Sequence, residues 1–402
     1  MTLPPGPTAP PLVQTFRFGL DPLGFLENAW REHGDVFSIR LAHEGHWAVV
    51  ASPSIAAEVF RAPPEVSRAG EANAFLRPVL GGGSVLLADG EEHLAKRRFA
   101  VRLLDPPDVA RIAARHLATW RSGERVRVLP RMQALTLDVI LEATLGNAQK
   151  AADVGRAVRR MLRFATRRST MLGVALLGYR AAALNPVLRA HLWAVRGAIR
   201  DHVHDRDAAD QILTLIVAGH DTTASQLSWA IDQLARDRPA LERVRAGDEE
   251  FLDAVVKETL RLRPTVPLVA RRLAAPLTVG GWDLPAGTGV APAMLLIQRR
   301  PDVFDEPDRF RPQRWLEDDA GARAAWVPFG GGTRRCLGAS LATTTISAVL
   351  AELAQVADLE PSRPDPPRIG RRAHTLVPEP AEVRVVRRSG RPAARPHAAR
   401  AG

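Results

Sequence analysis

The chain has 402 residues, of which 46% are hydrophobic and 25% charged, with a net charge of +11 and a single cysteine. That balance fits a globular protein with a large buried core. A lone cysteine excludes an internal disulfide, and no apolar run reaches the roughly 18 residues of a membrane span.

The start, Met1-Thr-Leu-Pro-Pro-Gly-Pro7, lacks the basic and apolar regions of a signal peptide. With one cysteine, a reducing cytoplasm is expected, without a membrane anchor. The positive charge suits an acidic protein partner. Arginines spread over many predicted helices, without a nucleic-acid module, argue against nucleic acid. No linker interrupts residues 20–386, so one domain over 1–386 is expected, then a basic, disordered tail over 387–402. A monomer is expected.

In chain order, residues 4–13 are Pro-rich and read as extended. Residues 22–33 suit a short amphipathic helix, 35–41 and 46–51 two strands, and 53–61 a helix. Residues 63–90, with Pro63, Pro64, Pro78 and three glycines at 81–83, predict a long loop. Helical spacing then predicts helices over 91–103, 108–120, 130–146, 151–169 and 184–204. The longest follows over 208–236, with Asp207 or Asp210 as its cap, and another spans 249–262 before Pro264. Gly280-Gly281 and Pro285 punctuate short hairpins over 265–291. Residues 300–325 are irregular, an apolar helix runs from Leu341 to Ala357, and 374–386 suggests a last hairpin. The sum is mainly α with minor β and no βαβ alternation.

Four constellations carry chemistry. Residues 326–342 hold Cys336 in Phe329-Gly-Gly-Gly-Thr-Arg-Arg-Cys336-Leu-Gly338. Three glycines let the backbone approach a flat object closely. Arg334 and Arg335 favour a thiolate, as does a following helix N-terminus. A buried structural cysteine is the alternative. In the long helix, Gly219 precedes the acid–alcohol pair Asp221 and Thr222. A glycine there can open room for a small ligand, Thr222 can hydrogen-bond it, and Asp221 can relay protons. His220 points away from that face and reads as structural. Glu258 and Arg261, three apart, can pair on one helix face. His93 and Arg97, four apart, share another.

These stretches resemble the cytochrome P-450 family. Phe329, Gly332, Arg334, Cys336 and Gly338 are similar to its F-x-x-G-x-R-x-C-x-G loop. Ala218-Gly219 with Asp221-Thr222-Thr223 resembles its oxygen-activation motif, and Glu258-x-x-Arg261 its E-x-x-R helix. Arg314 matches the third member of that structural network.

The resemblance implies a triangular helical prism with a small β-rich region, holding haem b (iron protoporphyrin IX). It makes Cys336 the axial iron ligand, Asp221 and Thr222 the proton-handling pair, and His93, Arg97, Arg271 and Arg334 the propionate-binding set. Arg272 is the alternative to Arg271, and Arg335 is left to face solvent or a redox partner. The implied activity is a monooxygenase inserting one atom of O2 into a small apolar organic substrate. A separate ferredoxin and ferredoxin reductase, as in soluble bacterial members, would supply electrons. Same-fold alternatives are a peroxygenase, an isomerase or a non-catalytic haem or ligand binder. Phe75, Val79, Leu86, Val217, Val266, Leu268 and Leu376 are assigned to the pocket by position only.

The chain departs from the family pattern in three places, one being that the loop over 63–90 fits no particular substrate subgroup. The approach to the long helix, 201–210, is short, so that end is expected to be loose. Gln298-Arg299 stands where many relatives carry His-Arg.

Overall fold

The computed structural model describes residues 3–317, 319–372 and 375–387. The tail expected over 387–402 lies almost wholly outside them. The chain is extended to Pro10 and then, against expectation, turns into α1 (Pro11–Leu20). The fixed φ of Pro11 at the first helical position starts a helix where proline abundance suggested none. Helix α2 (Pro22–His33) follows; Asp21 Oδ1 accepts the Gly24 N–H at 3.0 Å, and Gly34 closes the helix at φ 85°. Strands β1 (Val36–Leu41) and β2 (Gly45–Val50) form a hairpin, and α3 (Pro53–Arg61) follows.

The expected loop over 63–90 is more ordered than its prolines suggest. It contains β3 (Ser67–Arg68), α4 (Ala69–Ala72) and α5 (Arg77–Leu80), with 3-10 turns at Ala74–Leu76 and Val85–Leu87. Then come α6 (Gly90–Arg102), α7 (Val109–Leu117), β4 (Arg125–Arg127), α8 (Val128–Leu145) and α9 (Ala152–Ala165). The helix predicted over 151–169 ends early, and a separate α10 (Arg168–Ala183), kinked at Gly178, precedes α11 (Pro186–Arg200).

Helix α12 (Arg206–Arg236) leads to α13 (Arg238–Arg245), which the sequence reading missed although Asp237 caps it through the Ala240 N–H, and to α14 (Glu249–Leu262). The hairpin region is β5 (Arg271–Leu273), β6 (Leu277–Val279), β7 (Trp282–Leu284) and β8 (Gly289–Pro292). Short helices α15 (Met294–Ile297) and α16 (Ala320–Ala325) precede α17 (Ala339–Val356). The chain then forms β9 (Ala357–Pro361), β10 (Arg368–Arg372), β11 (Thr375–Glu379) and β12 (Glu382–Arg387).

The largest sheet runs β1-β2-β8-β5-β3, with β2 and β8 parallel and Val49 opposite Ala291. Two-stranded β6-β7 and β10-β11 and three-stranded β4-β12-β9 complete the strands. The last hairpin expected over 374–386 is not one. Its strands part company: β11 pairs with β10, Val377 facing Gly370, while β12 lies between β4 and β9. Long-range bonds draw β11 toward α12, because Leu376 donates its N–H to Thr265 O and accepts from Ser225 Oγ.

Helix α12 is the axis of the fold. It packs on α8, α11, α14, α17 and β11 and is buried along most of its length. Its buried polar side chains find partners in distant segments. Gln211 donates to Gly83 O at 2.6 Å and accepts from Val85 N–H at 2.9 Å. Gln226 donates to Arg263 O and Thr265 Oγ1, both at 2.6 Å. The cap is Asp205, not Asp207 or Asp210: its carboxylate accepts the N–H groups of Asp207 and Ala208. The short approach therefore leaves this end capped and tied, not loose.

Among the described residues α17 is the one helix long and apolar enough to cross a membrane; the sequence reading saw it as an apolar helix over Leu341–Ala357, short of a span. It packs against α7, α12, α13 and α14, so this apolar surface serves the core. Thr343 and Thr345 return their hydroxyls to Ala339 O and Leu341 O.

The Glu258 pairing is fully buried. Arg261 Nε and Nη2 each donate to the Glu258 carboxylate at 2.8 Å, and both side chains are 0% exposed. Arg314 Nε and Trp315 Nε1 complete the set at 3.1 and 2.9 Å. Arg261 also donates to Gln298 O and Pro307 O, both at 2.8 Å. The geometry is that of a buried network, in which loss of one partner strands the rest. Replacing Glu258 by Gln should lower unfolding free energy by about 3–5 kcal/mol, read from the urea midpoint, with Arg261→Ala in the same range.

Candidate active site

The cysteine loop is built by packing before it is built by chemistry. Gly330 and Gly332 adopt φ of 67° and 64°, a region open chiefly to glycine. A Cβ on Gly331 would lie 2.6 Å from the Phe60 ring, and one on Gly332 2.0 Å from Phe60 O. Two of the three glycines thus admit the C-terminal turn of α3. Cys336 donates its N–H to Phe329 O at 2.9 Å, and the Gly338 N–H is aimed at its sulfur. Helix α17 begins at Ala339, directly after this glycine.

The Cys336 side chain is accessible yet lies deep among protein atoms. Burial pushes its thiol up, and the Gly338 N–H, Arg97 and Arg335 offset this only in part. Arg334, expected to favour the thiolate, instead turns to Ala88 O and the Asp89 carboxylate. An anionic sulfur here therefore calls for a cationic metal on it, not the arginines alone.

Three chain segments bring the cations together. His93 is buried on α6, Arg271 is buried on β5, and Arg97 Nη1 donates to Arg335 O at 2.8 Å. Burial first, then Arg334, Arg97 and Arg271, hold the His93 imidazole down to about 4. Burial and Arg334 lower Arg271 to about 10, with Asp89 the one opposing charge. Among the described residues, Arg271 Nη1 donates only to the neighbouring Ala270 O, at 2.9 Å. Three guanidiniums and an imidazole around one carboxylate form a site short of negative charge.

Asp89 escaped the sequence reading. Its oxygens accept the N–H groups of Gly70 and Glu71 at 2.8 and 3.0 Å, so it joins α4 to Arg334. It stands directly before α6, but its partners lie far off in sequence.

On α12, Asp221 and Thr222 do not bond each other. Thr222 Oγ1 donates to Ala218 O at 2.7 Å. Asp221 accepts from Gln133 Nε2 on α8 at 2.5 Å and from Thr375 Oγ1 at 3.5 Å, and Arg372 Nε of β10 lies 3.9 Å away. Arg372 also donates to Thr166 Oγ1 at 3.1 Å. Gln133, Arg372 and Thr375 carried no local signal in the sequence. A Cβ on Gly219 would lie 3.3 Å from Ile140 Cδ1, so the missing side chain gives α8 room on that side. His220 is buried against α8, and burial lowers its imidazole.

Of the positional pocket residues, Phe75, Val79, Leu86, Val217, Val266 and Leu268 are half-buried. Val217, Val79 and Leu337, next to Cys336, border one apolar cluster. Leu376 is corrected: it is 2% exposed and packed in the core with Phe37 and Leu295, so it does not line an open space.

Residues 187–385 match the cytochrome P450 family. The protein named cytochrome P450 135B1 in Mycobacterium tuberculosis is 35% identical, covering 89% of this chain and 86% of its own length. Cytochrome P450 135A1 of the same organism is 31% identical over 96% and 95%. Among solved structures, retinoic-acid-bound cyanobacterial CYP120A1 has a TM-score of 0.80 at 23% identity, covering 96% of this chain and all of that one. A six-coordinated cytochrome P450 from Thermus thermophilus has 0.74 at 24%, over 91% and 98%. The structures share the fold, and the mycobacterial proteins carry the relationship in sequence. The chain belongs to the cytochrome P450 family, the haem b-binding haem-thiolate monooxygenases.

Proposed function

We propose that this chain is an O2-dependent monooxygenase acting on an apolar organic substrate. Its overall reaction joins substrate C–H, O2, two electrons and two protons, giving C–OH and water. A separate ferredoxin and its reductase deliver the electrons, which the net charge of +11 favours. The observation that carries the reading is the set beside the accessible Cys336: the guanidiniums of Arg97, Arg271 and Arg334 and the neutral imidazole of His93, with the Asp89 carboxylate among them.

That set fits a haem b. Two propionates would supply the missing negative charge, with Arg271 and His93 as buried partners and Arg97 and Arg334 beside them. Cys336 would hold the haem iron through its sulfur, its own N–H bound to Phe329 O and its sulfur facing the Gly338 N–H. Bound haem supplies O2 binding and reductive activation.

The chain's own residues manage the protons and the pocket. The Thr222 hydroxyl, resting on Ala218 O, can turn to donate to a small ligand while its oxygen accepts a proton in exchange. Asp221 is held by Gln133, Thr375 and Arg372, and can pass protons inward when one of these contacts loosens. The half-buried apolar residues Phe75, Leu86, Val217, Val266 and Leu268 would exclude water and orient the substrate.

The reduced protein with carbon monoxide should give the strongly red-shifted Soret band of a thiolate-ligated haem, and Cys336→Ser should abolish it; a normal band from the variant would remove Cys336 from this role. Arg271→Leu should weaken haem retention by about tenfold or more, the scale of a lost charged hydrogen bond, measured by transfer of haem to apomyoglobin. Thr222→Ala should keep that band but divert electrons to peroxide, with product formed per NAD(P)H lowered by about tenfold or more.

A further inference from the structure

Asp89 closes a loop of chain on itself. Residues 69–89 leave β3 and return to the start of α6, and their ends meet at a neck. There Asp89 Oδ1 and Oδ2 accept the N–H groups of Gly70 and Glu71 at 2.8 and 3.0 Å. The crossing needs a glycine, since a Cβ on Gly70 would lie 2.6 Å from Leu87 O and 2.7 Å from Ala88 O. Just beyond, Asn73 Nδ2 donates to Leu86 O at 3.4 Å. The far end is fastened to α12, where Gln211 holds Gly83 and Val85, and Thr214 Oγ1 lies 2.9 Å from Ser84 Oγ. Between its two fastenings this strap carries Phe75, Val79 and Leu86, all half-buried.

The neck adjoins the residues that would hold the propionates. Strand β3 leads into the strap and pairs with β5, Arg68 opposite Arg272, the residue after Arg271. Arg334 closes the other side. Its Nη2 donates to Asp89 and to Ala88 O, with the Arg334 side chain 11% exposed and that of Asp89 21%. A guanidinium has five N–H donors, so Arg334 can hold Asp89 and a propionate together. A cleft of about 470 Å3, lined by Arg68, Glu71, Leu87 and Asp89 among others, lies beside the neck and leaves it room to part.

Charge favours a closed neck when haem is in place. Arg97, Arg271 and Arg334 are three cations, and the buried His93 is neutral at physiological pH. Two propionates supply two negative charges, and Asp89 supplies the third. Without the propionates, Arg334 faces Arg97 and Arg271 with one carboxylate among them. Their repulsion then loosens its hold on Asp89.

We propose that Asp89 is a positioning residue that couples haem occupancy to closure of the strap over 69–89, and so to the apolar wall of the pocket. The inference rests on the reading that Arg334 faces a propionate. Coupling between two sites is reciprocal. Haem that closes the neck is therefore held less firmly when the neck is opened from the strap side.

The test is backbone hydrogen exchange over 69–89, read by mass spectrometry on the full chain with and without haem. Removing haem should speed exchange in the strap about tenfold more than in α14. Asp89→Asn should do the same with haem bound and the carbon monoxide band unchanged, and Asp89→Glu, which keeps the charge, should restore most of the protection. Gly70→Ala opens the neck without touching a charge. It should speed strap exchange and haem transfer to apomyoglobin by about the same factor, near tenfold. Both Asp89→Asn and Gly70→Ala should weaken binding of 4-phenylimidazole, an apolar probe followed by its Soret shift, about tenfold. Strap exchange in Asp89→Asn equal to that of the unaltered protein overturns the proposal. So does a Gly70→Ala protein whose strap opens while haem transfer keeps its rate. Arg334→Leu separates the two readings. Unchanged haem transfer in that variant removes Arg334 from the propionate and takes the coupling with it. Faster transfer with unchanged strap exchange keeps the propionate contact and overturns the coupling alone.

Discussion

The Glu258 carboxylate, wholly buried and saturated with donors, is the constraint on which the site depends. It ties α14 to the Arg314–Trp315 turn, and contacts continue from there to the cysteine. Trp315 meets Trp326 edge-on at 6.1 Å, and Trp326 meets Phe329 at 6.0 Å. Phe329 O then receives the Cys336 N–H. A charge network at one end thus sets a backbone carbonyl at the other, and that carbonyl sets the sulfur. The cost of desolvating Glu258 and Arg261 is offset only when every donor is in place, so the loop has one arrangement to adopt.

Helix α12 contributes the opposite wall by a different route. Its buried amides and hydroxyls bind the chain near residues 83–85, 263–265 and 376. Segments distant in sequence are thereby set in register along one rigid axis. Asp221 and Thr222 occupy adjacent positions but answer to different neighbours, one to α8 and β10, the other to its own helix.

Features written into a few adjacent residues were legible in the sequence. The helices expected over 53–61 and 249–262 match α3 and α14, and the spacing of Glu258 and Arg261 announced their pairing. The cysteine motif pointed to its site by residue type alone. What failed depended on partners far along the chain. Strands β11 and β12 look like a hairpin locally, and only bonds to α12 and β4 separate them. Asp89 and Arg372 act through segments that no window of sequence joins. Gly219, Gly331 and Gly332 were visible as glycines, but the neighbours that need them absent of side chains, Ile140 and Phe60, were not.

Gln298 gives the site a property of its own. Wholly buried, its amide donates to Leu260 O and Arg261 O and accepts the Val327 N–H. An imidazole there would offer fewer simultaneous bonds and a charge that changes near neutrality. The amide has no such transition. The strap between α14 and the stretch of chain leading to the cysteine therefore keeps the same bonding in mildly acidic and neutral surroundings.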